Sequence, residues 1–366
     1  MKNFKFLSFL LIAASSLIFM QCSSDYTAIP GQDGIDGIDG VDGVDGVDGM
    51  DGVGVQECID CHSSANLEPI HDEYAISGHG SGSSWARGSS TGCAQCHSNE
   101  GYIDYLSDLY VDTNGDQSVN QNFAYQGNSI NCTGCHAPEQ GHRSFDFAND
   151  GNDYSLRNID AVHLVIDPTV SVDLANTNEP LGLSNTCVTC HQPRNSYPVP
   201  SGTDDITITS SRYGPHHGPQ STLFEGIMGA NIVGSTGYPG AGANGDSAHR
   251  KGTSCVGCHM DGDSGHSWEP TVGNCVSCHS SMTSIPTQIT AWTDFQVLHD
   301  LLEAKGYINA DGSVIASSSS PLVVPVKDAQ AIWNYKTLEE DKSNGMHNPK
   351  YTAALLKNTI EYLQGN

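Results

Sequence analysis

The residues with the clearest chemical pattern are cysteines followed by a histidine. The pentapeptide Cys-x-x-Cys-His occurs six times and uses all but one of the 13 cysteines of the chain. The composition predicts about 0.02 such pentapeptides by chance, so the repeat does not follow from cysteine content alone. We number the copies in chain order as motif 1 to motif 6: Cys58/Cys61/His62, Cys93/Cys96/His97, Cys132/Cys135/His136, Cys187/Cys190/His191, Cys255/Cys258/His259 and Cys275/Cys278/His279.

Two thiols and an imidazole at this spacing are typical of covalent haem attachment. Positions i and i+3 share one face of a helical turn, so both thiols can reach one porphyrin edge and form thioethers. The histidine that follows can then bind the iron. Zinc ribbons also use Cys-x-x-Cys pairs, and exported chains form disulfides, but neither alternative requires a histidine after every pair. The motifs therefore predict six c-type haems, with the motif histidines as proximal iron ligands.

The histidines outside the motifs number ten, because the chain has 16 in all. Six irons need at most six distal ligands, so the chain can close every iron with two imidazoles, an arrangement that keeps the potential low. The plausible thioether competitors are Met228 and Met282. His71, His163 and His299 are expected to be solvated or packed side chains. The candidate distal ligands are His79, His142, His216, His217, His249, His266 and His347, with His216 slightly favoured over its neighbour His217.

The elements that position these residues are predicted to be short. From Glu57 to Ser284 the sequence shows little periodicity, which indicates loops and single turns with one short helix, Tyr102–Tyr110. From Thr290 onward apolar residues recur at helical spacing. Three helices are predicted there: Ala291–Leu302 ending before Gly306, Lys327–Leu338, and one that begins at Asn348 as N-cap with Pro349 at N1 and ends at Gly365.

The composition limits both fold and function. A formal charge of −27 argues against nucleic-acid binding, which needs Lys and Arg at the phosphates. Hydrophobic residues make up only 37% of the chain and aromatic residues 7%, too few for a large side-chain core. Six macrocycles would supply the missing apolar surface. We expect a mostly irregular and α-helical fold of low secondary-structure content, with haems as the core and a small C-terminal helical bundle.

The N-terminus resembles a bacterial lipoprotein signal. Lys2 and Lys5 precede the apolar stretch Phe6–Met20, which is too short for a spanning helix of about 20 residues. Cys22 follows, although Gln21 replaces the usual small residue before it. We expect export and lipidation at Cys22, with plain secretion as the alternative. The predicted division is a signal peptide (1–22), a spacer (23–56), a multihaem domain (57–289) and a C-terminal helical segment that supplies a distal ligand (290–366).

Three acidic segments raise the question of calcium binding. Between Gly31 and Gly52 glycine recurs at every third position, usually after an aspartate, without proline, which predicts a solvated, extended spacer. A short triple helix or a Ca²⁺-binding strip is the alternative. Asp112–Ser118 begins like an EF-hand loop, but position 12 is Phe123 rather than Glu. An acidic turn is expected there and at Asp146, Asp150 and Asp153, with a Ca²⁺ site as the alternative.

The chain is similar to the multihaem c-type cytochromes of bacterial respiratory and extracellular electron transfer. The resemblance covers roughly residues 57 to 366. It implies bis-histidine haems outside the cytoplasmic membrane. Related nitrite reductases place Lys after one Cys-x-x-Cys, and no motif here does so. The matching stretches are Ser77-Gly78-His79, Cys132-Thr133-Gly134-Cys135-His136-Ala137-Pro138, Tyr213-Gly214-Pro215-His216-His217-Gly218-Pro219-Gln220, Cys258-His259-Met260 and Asp341-Lys342-Ser343-Asn344-Gly345-Met346-His347-Asn348-Pro349.

These observations predict an exported hexahaem cytochrome at the outer membrane, facing the cell surface or the periplasm. It would relay electrons between a periplasmic or outer-membrane donor and an external acceptor or partner cytochrome, and its acidic surface would favour cationic partners. An electron carrier is favoured over a catalyst. Two alternatives stay open: a multihaem oxidoreductase acting on a small nitrogen or sulfur compound, which needs an open iron, and a subunit of a homopolymeric cytochrome filament.

Overall fold

The computed structural model describes residues 62–107, 125–137, 141–194, 197–260 and 265–365. Five of the six motifs lie in these ranges, and each of the five includes a short helix. Of motif 1 only His62 is described, because Cys58 and Cys61 lie outside the ranges. The helices that carry the motifs are Thr91–His97, Cys132–Cys135, Asn185–Val188, Cys255–His259 and Val272–Val276.

The remaining elements before residue 290 are also short, apart from the helix Ser64–Ile76. That 13-residue helix was not predicted. None of its residues is buried, so it has no apolar stripe by which the sequence could reveal it. The other elements of this region are the helices Gly78–Ser81, Asn99–Leu106, Phe147–Asp150, Gln220–Glu225 and Ala248–Gly252, and the 3₁₀ helices Ser84–Ser89 and Gly265–Ser267.

The predicted helix Tyr102–Tyr110 is displaced towards the N-terminus. It runs from Asn99 to Leu106, because the Ser98 side chain accepts a hydrogen bond from the Gly101 amide and caps the helix there. Residues 108–110 lie outside the described ranges. The prediction of a helix in this segment was therefore right, and both of its bounds were wrong.

The described strands form two small antiparallel pairs. Val162–His163 pairs with Ser171–Val172, with Val162 opposite Val172. Ile206–Ile208 pairs with Leu322–Val324, with Thr207 opposite Val323. The second pair joins the middle of the chain to its C-terminal part. The described residues are thus mostly helical or irregular with little strand, as predicted.

The C-terminal part holds the longest helices and the largest apolar cluster of the described residues. The helices are Asp294–Ala304, Val326–Asp341 and Pro349–Gln364, with the 3₁₀ helix Thr290–Thr293 before them and all described residues in one unit, Val53–Asn366. The Asn348 side chain accepts from the Tyr351 amide and Gly365 ends the last helix in a left-handed conformation, so both predicted caps are confirmed.

This apolar cluster includes Trp333, which is fully buried, together with residues such as Leu298 and Leu355. The Trp333 indole N–H donates to the Met228 carbonyl at 2.8 Å and ties the cluster to the middle of the chain. A smaller cluster includes Val188 of the motif 4 helix. Around motifs 2 and 3 buried polar side chains such as Gln95 and Asn99 lie among buried apolar ones such as Tyr102 and Ile130.

Candidate haem-binding site

The motif cysteines in the described ranges carry free thiols, and no disulfide joins any of these ten. Cys96 of motif 2 and Cys190 of motif 4 are neighbouring side chains, as are Cys187 of motif 4 and Cys255 of motif 5. Burial raises the pKa of Cys135 in motif 3 to about 11. Motif 4 is therefore the direct neighbour of motifs 2 and 5 through its two cysteines.

Two of the motif cysteines are exposed, Cys278 of motif 6 and Cys132 of motif 3. The helix of motif 6 ends at Val276, so Cys278 lies beyond it. The role of Cys278 in attaching a haem stays a prediction.

The backbone of motif 6 nevertheless forms the turn that haem attachment requires. The amides of Cys278 and His279 both donate to the Cys275 carbonyl, at 3.2 and 2.8 Å. These hydrogen bonds keep Cys275 and Cys278 on one face of a helical turn, although the helix itself has ended. Cys278 is exposed because Ser277, His279 and Ser280 around it are exposed as well, which places this end of the motif at the surface.

Four motif histidines face a histidine from outside the motifs. The separations of the ring centroids fall in a narrow range, while the angles between the ring planes vary widely. The pairs are His136 with His266 (6.4 Å, 30°), His191 with His79 (6.2 Å, 82°), His259 with His347 (6.4 Å, 51°) and His279 with His249 (6.2 Å, 88°).

These separations fit a metal held between two imidazoles. A metal–imidazole bond is about 2.0 Å long and the ring nitrogen lies about 1.1 Å from the centroid, so opposite ligands place their centroids about 6.2 Å apart. Rings in direct contact can lie closer, as those of His216 and His217 do at 4.5 Å with their planes 52° apart. The donor set of one motif histidine and one further histidine at each of four centres is thus compatible with haem iron.

Hydrogen bonds orient these imidazoles in the way that metal ligands require. The Nδ1 atoms of His136, His259 and His249 lie 2.7–2.8 Å from the carbonyl oxygens of Tyr154, Trp268 and Met346 respectively. A carbonyl can only accept, so each Nδ1 carries the proton and each Nε2 keeps its lone pair. Such outer hydrogen bonds fix the tautomer and the ring plane of a metal-binding histidine.

In three of the other candidate distal histidines, the Nδ1 atom lies within hydrogen-bonding distance of a carboxylate. His347 lies 2.6 Å from Asp341, His217 lies 2.6 Å from Glu340, and His142 lies 2.8 Å from Asp153. Burial lowers the pKa of His347, but the Asp341 carboxylate raises it, and the net pKa is above its usual value. The Asp341 side chain is fully buried.

The four non-motif partners lie in short, well-anchored segments. Ser77 caps the turn that carries His79, because its hydroxyl accepts from the Gly80 amide. Ser247 caps the helix that carries His249, and its hydroxyl accepts from the Arg250 amide. The unpredicted helix Ser64–Ile76 contributes Glu73, which accepts from the His266 amide at 3.0 Å. His347 immediately precedes the Asn348 cap of the last helix.

Burial keeps several of these imidazoles neutral. It lowers the pKa of His79 to about 4, with His191 adding to the effect. It also lowers the pKa of His266, with His136 adding to the effect. A neutral imidazole is the form that binds a metal, so these pKa values favour ligation at neutral pH.

His97 of motif 2 has different surroundings. Its ring lies 6.3 Å from that of Trp85. Burial and the charges of Arg194, His217 and Arg87 lower its pKa. The Nδ1 atom of His97, the indole nitrogen of Trp85 and both side-chain amide atoms of Gln95 are buried without a hydrogen-bond partner. Motif 2 therefore combines buried polar atoms with nearby cationic side chains.

The remaining candidates lie apart from these pairs. His142 packs against Phe145 and Phe147, at 5.3 and 5.0 Å. Burial and the adjacent His217 lower the pKa of His216 to about 4. His62 and His71 are exposed. Among the residues that sequence reasoning set aside, His163 bonds to the Pro168 carbonyl, His299 contacts Asp300, and Met228 packs against the cluster of Val188.

The acidic candidates for calcium have partners in the chain where they are described. Asp153 accepts from the Arg143 amide and contacts His142. Asp150 accepts from the Ser144 hydroxyl and Asp146 from the Asn149 amide group. The spacer, Asp112–Ser118 and the lipidation candidate Cys22 lie outside the described ranges.

Sequence reasoning missed Trp268 and Trp85, which contact several of these histidines. The indole ring of Trp268 lies 4.3 Å from that of His79 and 5.6 Å from that of His266. Trp85 lies 6.3 Å from His79. A lone tryptophan in an aperiodic segment carries no local signal of such a role. Asp341 was missed as well, although it lies in a stretch that the resemblance to cytochromes includes.

Comparison with known proteins gives limited information. No protein-family model matches the sequence, and no curated protein matches it. Among solved structures the chain is similar to the crystal structure of outer cell wall cytochrome OcwA, with 19% sequence identity and a TM-score of 0.44. The match covers 81% of this chain and 50% of OcwA, so the chain spans about half of that protein's length. A similarity at this level does not establish a family.

One further property of the described helices bears on the membrane. Within residues 62–107, 125–137, 141–194, 197–260 and 265–365, no helix combines the length and the apolar character needed to span a bilayer.

Proposed function

We propose that this protein is an exported hexahaem c-type cytochrome that carries electrons between redox partners. The observation that carries the proposal is the set of four pairs in which a motif histidine faces a histidine from outside the motifs at 6.2–6.4 Å. Bound haems would supply one-electron iron chemistry. The chain would attach them through its motif cysteines, hold the iron through paired imidazoles and fix the imidazole planes through Nδ1.

Contacts between motifs support a role in conduction. The contact of Cys96 with Cys190 and that of Cys187 with Cys255 place motifs 2, 4 and 5 side by side. The helices Cys255–His259 and Val272–Val276, which belong to motifs 5 and 6, are also in contact. Motifs 2, 4, 5 and 6 are thus consecutive neighbours, as a path for electron transfer requires.

The setting of the protein is part of the proposal. The signal-like N-terminus with Cys22 supports export and attachment to the outer membrane through a lipid, and the spacer would hold the haem-binding part away from the bilayer. The excess of 42 acidic over 15 basic residues supports redox partners, such as other cytochromes, that carry cationic patches. The protein would form a homopolymeric filament if a histidine of one copy bound a haem iron of the next copy.

The test uses the purified full-length protein. Pyridine haemochrome analysis and intact mass should give six haems per chain, and electron paramagnetic resonance (EPR) should give predominantly low-spin ferric iron. Replacing both cysteines of motif 4 with alanine should remove one haem and no more. A colourless protein with the mass of the bare polypeptide would refute the proposal, while six haems with a high-spin component and turnover of nitrite or hydroxylamine would favour an enzyme.

A further inference from the structure

Trp268 contacts histidines that belong to two different pairs. Its ring meets the ring of His79 edge to face, at 4.3 Å and 87°, and that of His266 at 5.6 Å and 68°. His79 faces His191 of motif 4, and His266 faces His136 of motif 3. One half-buried indole therefore lies between the non-motif histidines of two motifs.

The main chain of the same residue reaches a third pair. The Trp268 carbonyl accepts a hydrogen bond from Nδ1 of His259 in motif 5 at 2.8 Å. Its φ of 55° lies in the left-handed region, which residues other than glycine rarely adopt. This conformation directs the ring to His79 and His266 and the carbonyl to His259, so a disfavoured backbone coincides with contacts to three pairs.

We infer that Trp268 is a positioning residue that sets the imidazole planes of the motif 3 and motif 4 irons through its ring, and that of motif 5 through its carbonyl. The inference rests on the proposed function. An edge-to-face contact at 4.3 Å restricts rotation of the His79 ring, which stands at 82° to His191. Without the indole, the His79 ring would keep only its longer contact with the Trp85 ring, at 6.3 Å, and its plane would be less restricted.

The plane angle has a spectroscopic consequence that does not depend on activity. In low-spin ferric haem, nearly perpendicular imidazoles give a strongly anisotropic EPR signal with a large maximal g value, and nearly parallel imidazoles give a rhombic signal. The structure has two nearly perpendicular pairs, at motifs 4 and 6, and one pair with planes 30° apart, at motif 3. Among the four pairs of the described residues, those of motifs 4 and 6 should therefore give two large-g signals and that of motif 3 a rhombic signal.

The experiment compares EPR spectra of haem-loaded full-length variants. Trp268→Gly deletes the ring but accepts a φ of 55°, so it keeps the carbonyl in place for His259. The expected result is that one of the two large-g signals moves or is lost, the rhombic signal of motif 3 shifts, and the signals of motifs 5 and 6 stay unchanged. Trp268→Phe, which retains an aromatic edge, should keep the wild-type spectrum.

Two further sets of variants complete the design. Trp292→Ala is the matched control, since Trp292 is also half-buried but stacks on Phe295 at 4.5 Å, and it should leave every signal unchanged. His79→Met and His266→Met assign the signals, because each replaces the ligand of one iron. If Trp268→Gly fails to bind haem, Trp268→Leu, which fills part of the volume without a ring, takes its place with the same expected signal changes.

Each outcome decides a separate question. A haem-loaded Trp268→Gly or Trp268→Leu protein with the wild-type spectrum overturns the role of Trp268 and leaves the proposed function intact. Equal changes in all signals overturn it as well, because they indicate general loosening. Absence of haem from the wild-type protein refutes the proposed function instead.

Discussion

The buried carboxylate of Asp341 should lower the reduction potential of one iron. Its Oδ1 atom lies 2.6 Å from Nδ1 of His347, the histidine that faces His259 of motif 5. The side chain is fully buried, and the Ser343 hydroxyl also donates to it. In the proposed cytochrome His347 is an iron ligand, and a negative charge at this distance from it would stabilise the ferric state relative to the ferrous state. Asp341→Asn removes the charge but keeps an oxygen that can accept from His347.

The magnitude follows from the kind of hydrogen bond that is changed. A hydrogen bond to a charged group contributes about 1.5–3 kcal/mol and a neutral one about 0.5–1.5 kcal/mol, so the exchange costs about 1–1.5 kcal/mol. A tenfold change in a one-electron equilibrium, about 1.4 kcal/mol, corresponds to about 59 mV. Only the part of this free energy that differs between the ferric and the ferrous state changes the reduction potential. We therefore expect the reduction potential of one iron to rise by at most about 60 mV.

The assay is a spectroelectrochemical titration of the wild-type and variant proteins, fitted with one component per haem. Asp328→Asn is the matched control, since Asp328 is a buried carboxylate on the same helix that accepts from the hydroxyls of Tyr307 and Tyr362. It lies about 20 Å from Asp341 along the helix axis and should shift no component. The reasoning fails if Asp341→Asn moves no component, moves one downward, or has the same effect as Asp328→Asn.

Two further predictions concern stability. The Arg250 side chain is 2% exposed, and its Nε atom lies 2.5 Å from the Glu225 carboxylate. Arg250→Met should lower the free energy of unfolding by about 3–5 kcal/mol, because it leaves this largely buried carboxylate without its partner. The control is Lys357→Met, which breaks an exposed ion pair with Glu361 and should lower the free energy of unfolding by at most about 1 kcal/mol. Denaturant unfolding measures both variants, and equal losses of free energy would contradict the argument. Burial raises the pKa of Glu179, so its contribution to stability is complete below the unfolded-state pKa and is lost as pH rises through the higher folded-state pKa. Glu179→Gln should therefore gain stability relative to wild type as pH rises from 4 to 7 in thermal unfolding, and a difference that is constant over this range would count against it.

The sequence predicted those features that depend on neighbouring residues. The last helix was found from the cap at Asn348 and the glycine at position 365, because both act within one turn. The motifs were found for the same reason, since both thiols and the imidazole of each copy lie within five residues. The exposure of a motif residue such as Cys278 cannot be predicted in the same way, because burial depends on what folds over a motif and not on the motif itself. The helix Ser64–Ile76 was missed because helix prediction from periodicity needs a buried face, and this helix has none.

Which histidines face each other could not be read from the sequence. His249 lies six residues before motif 5 but faces His279 of motif 6, and His266 lies between motifs 5 and 6 but faces His136 of motif 3. Each of these two partners comes from a short helical segment that lies against a motif other than its neighbours in the sequence, so distance along the chain carries no information about the pairing. Four of the seven candidate distal ligands lie in such pairs, and their role as ligands stays a prediction.

The low content of apolar residues does not imply disorder here, because buried polar side chains take over the task of fixing the loops. The segments around the five described motif turns are mostly loops and short helices, in which no long helix or strand provides hydrogen-bond partners for the backbone amides and carbonyls. Side chains next to the turns provide these partners instead. Asn185, two residues before Cys187, accepts from the Leu174 amide and donates to the Ile159 carbonyl. Gln192, directly after His191, accepts from the Val165 amide.

The same arrangement recurs at other motifs. Asn99 accepts from the amide of Asn131, which precedes Cys132, and the Ser184 hydroxyl accepts from the amide of Val256 inside motif 5. All four of these polar side chains are almost fully buried, so each hydrogen bond forms where water cannot compete for it. Rigid turns are what a paired imidazole needs, because an iron centre tolerates little variation in the positions of its ligands. A chain rich in Asn, Gln, Ser and Gly can therefore hold several such centres without the apolar core that a protein of this length usually requires.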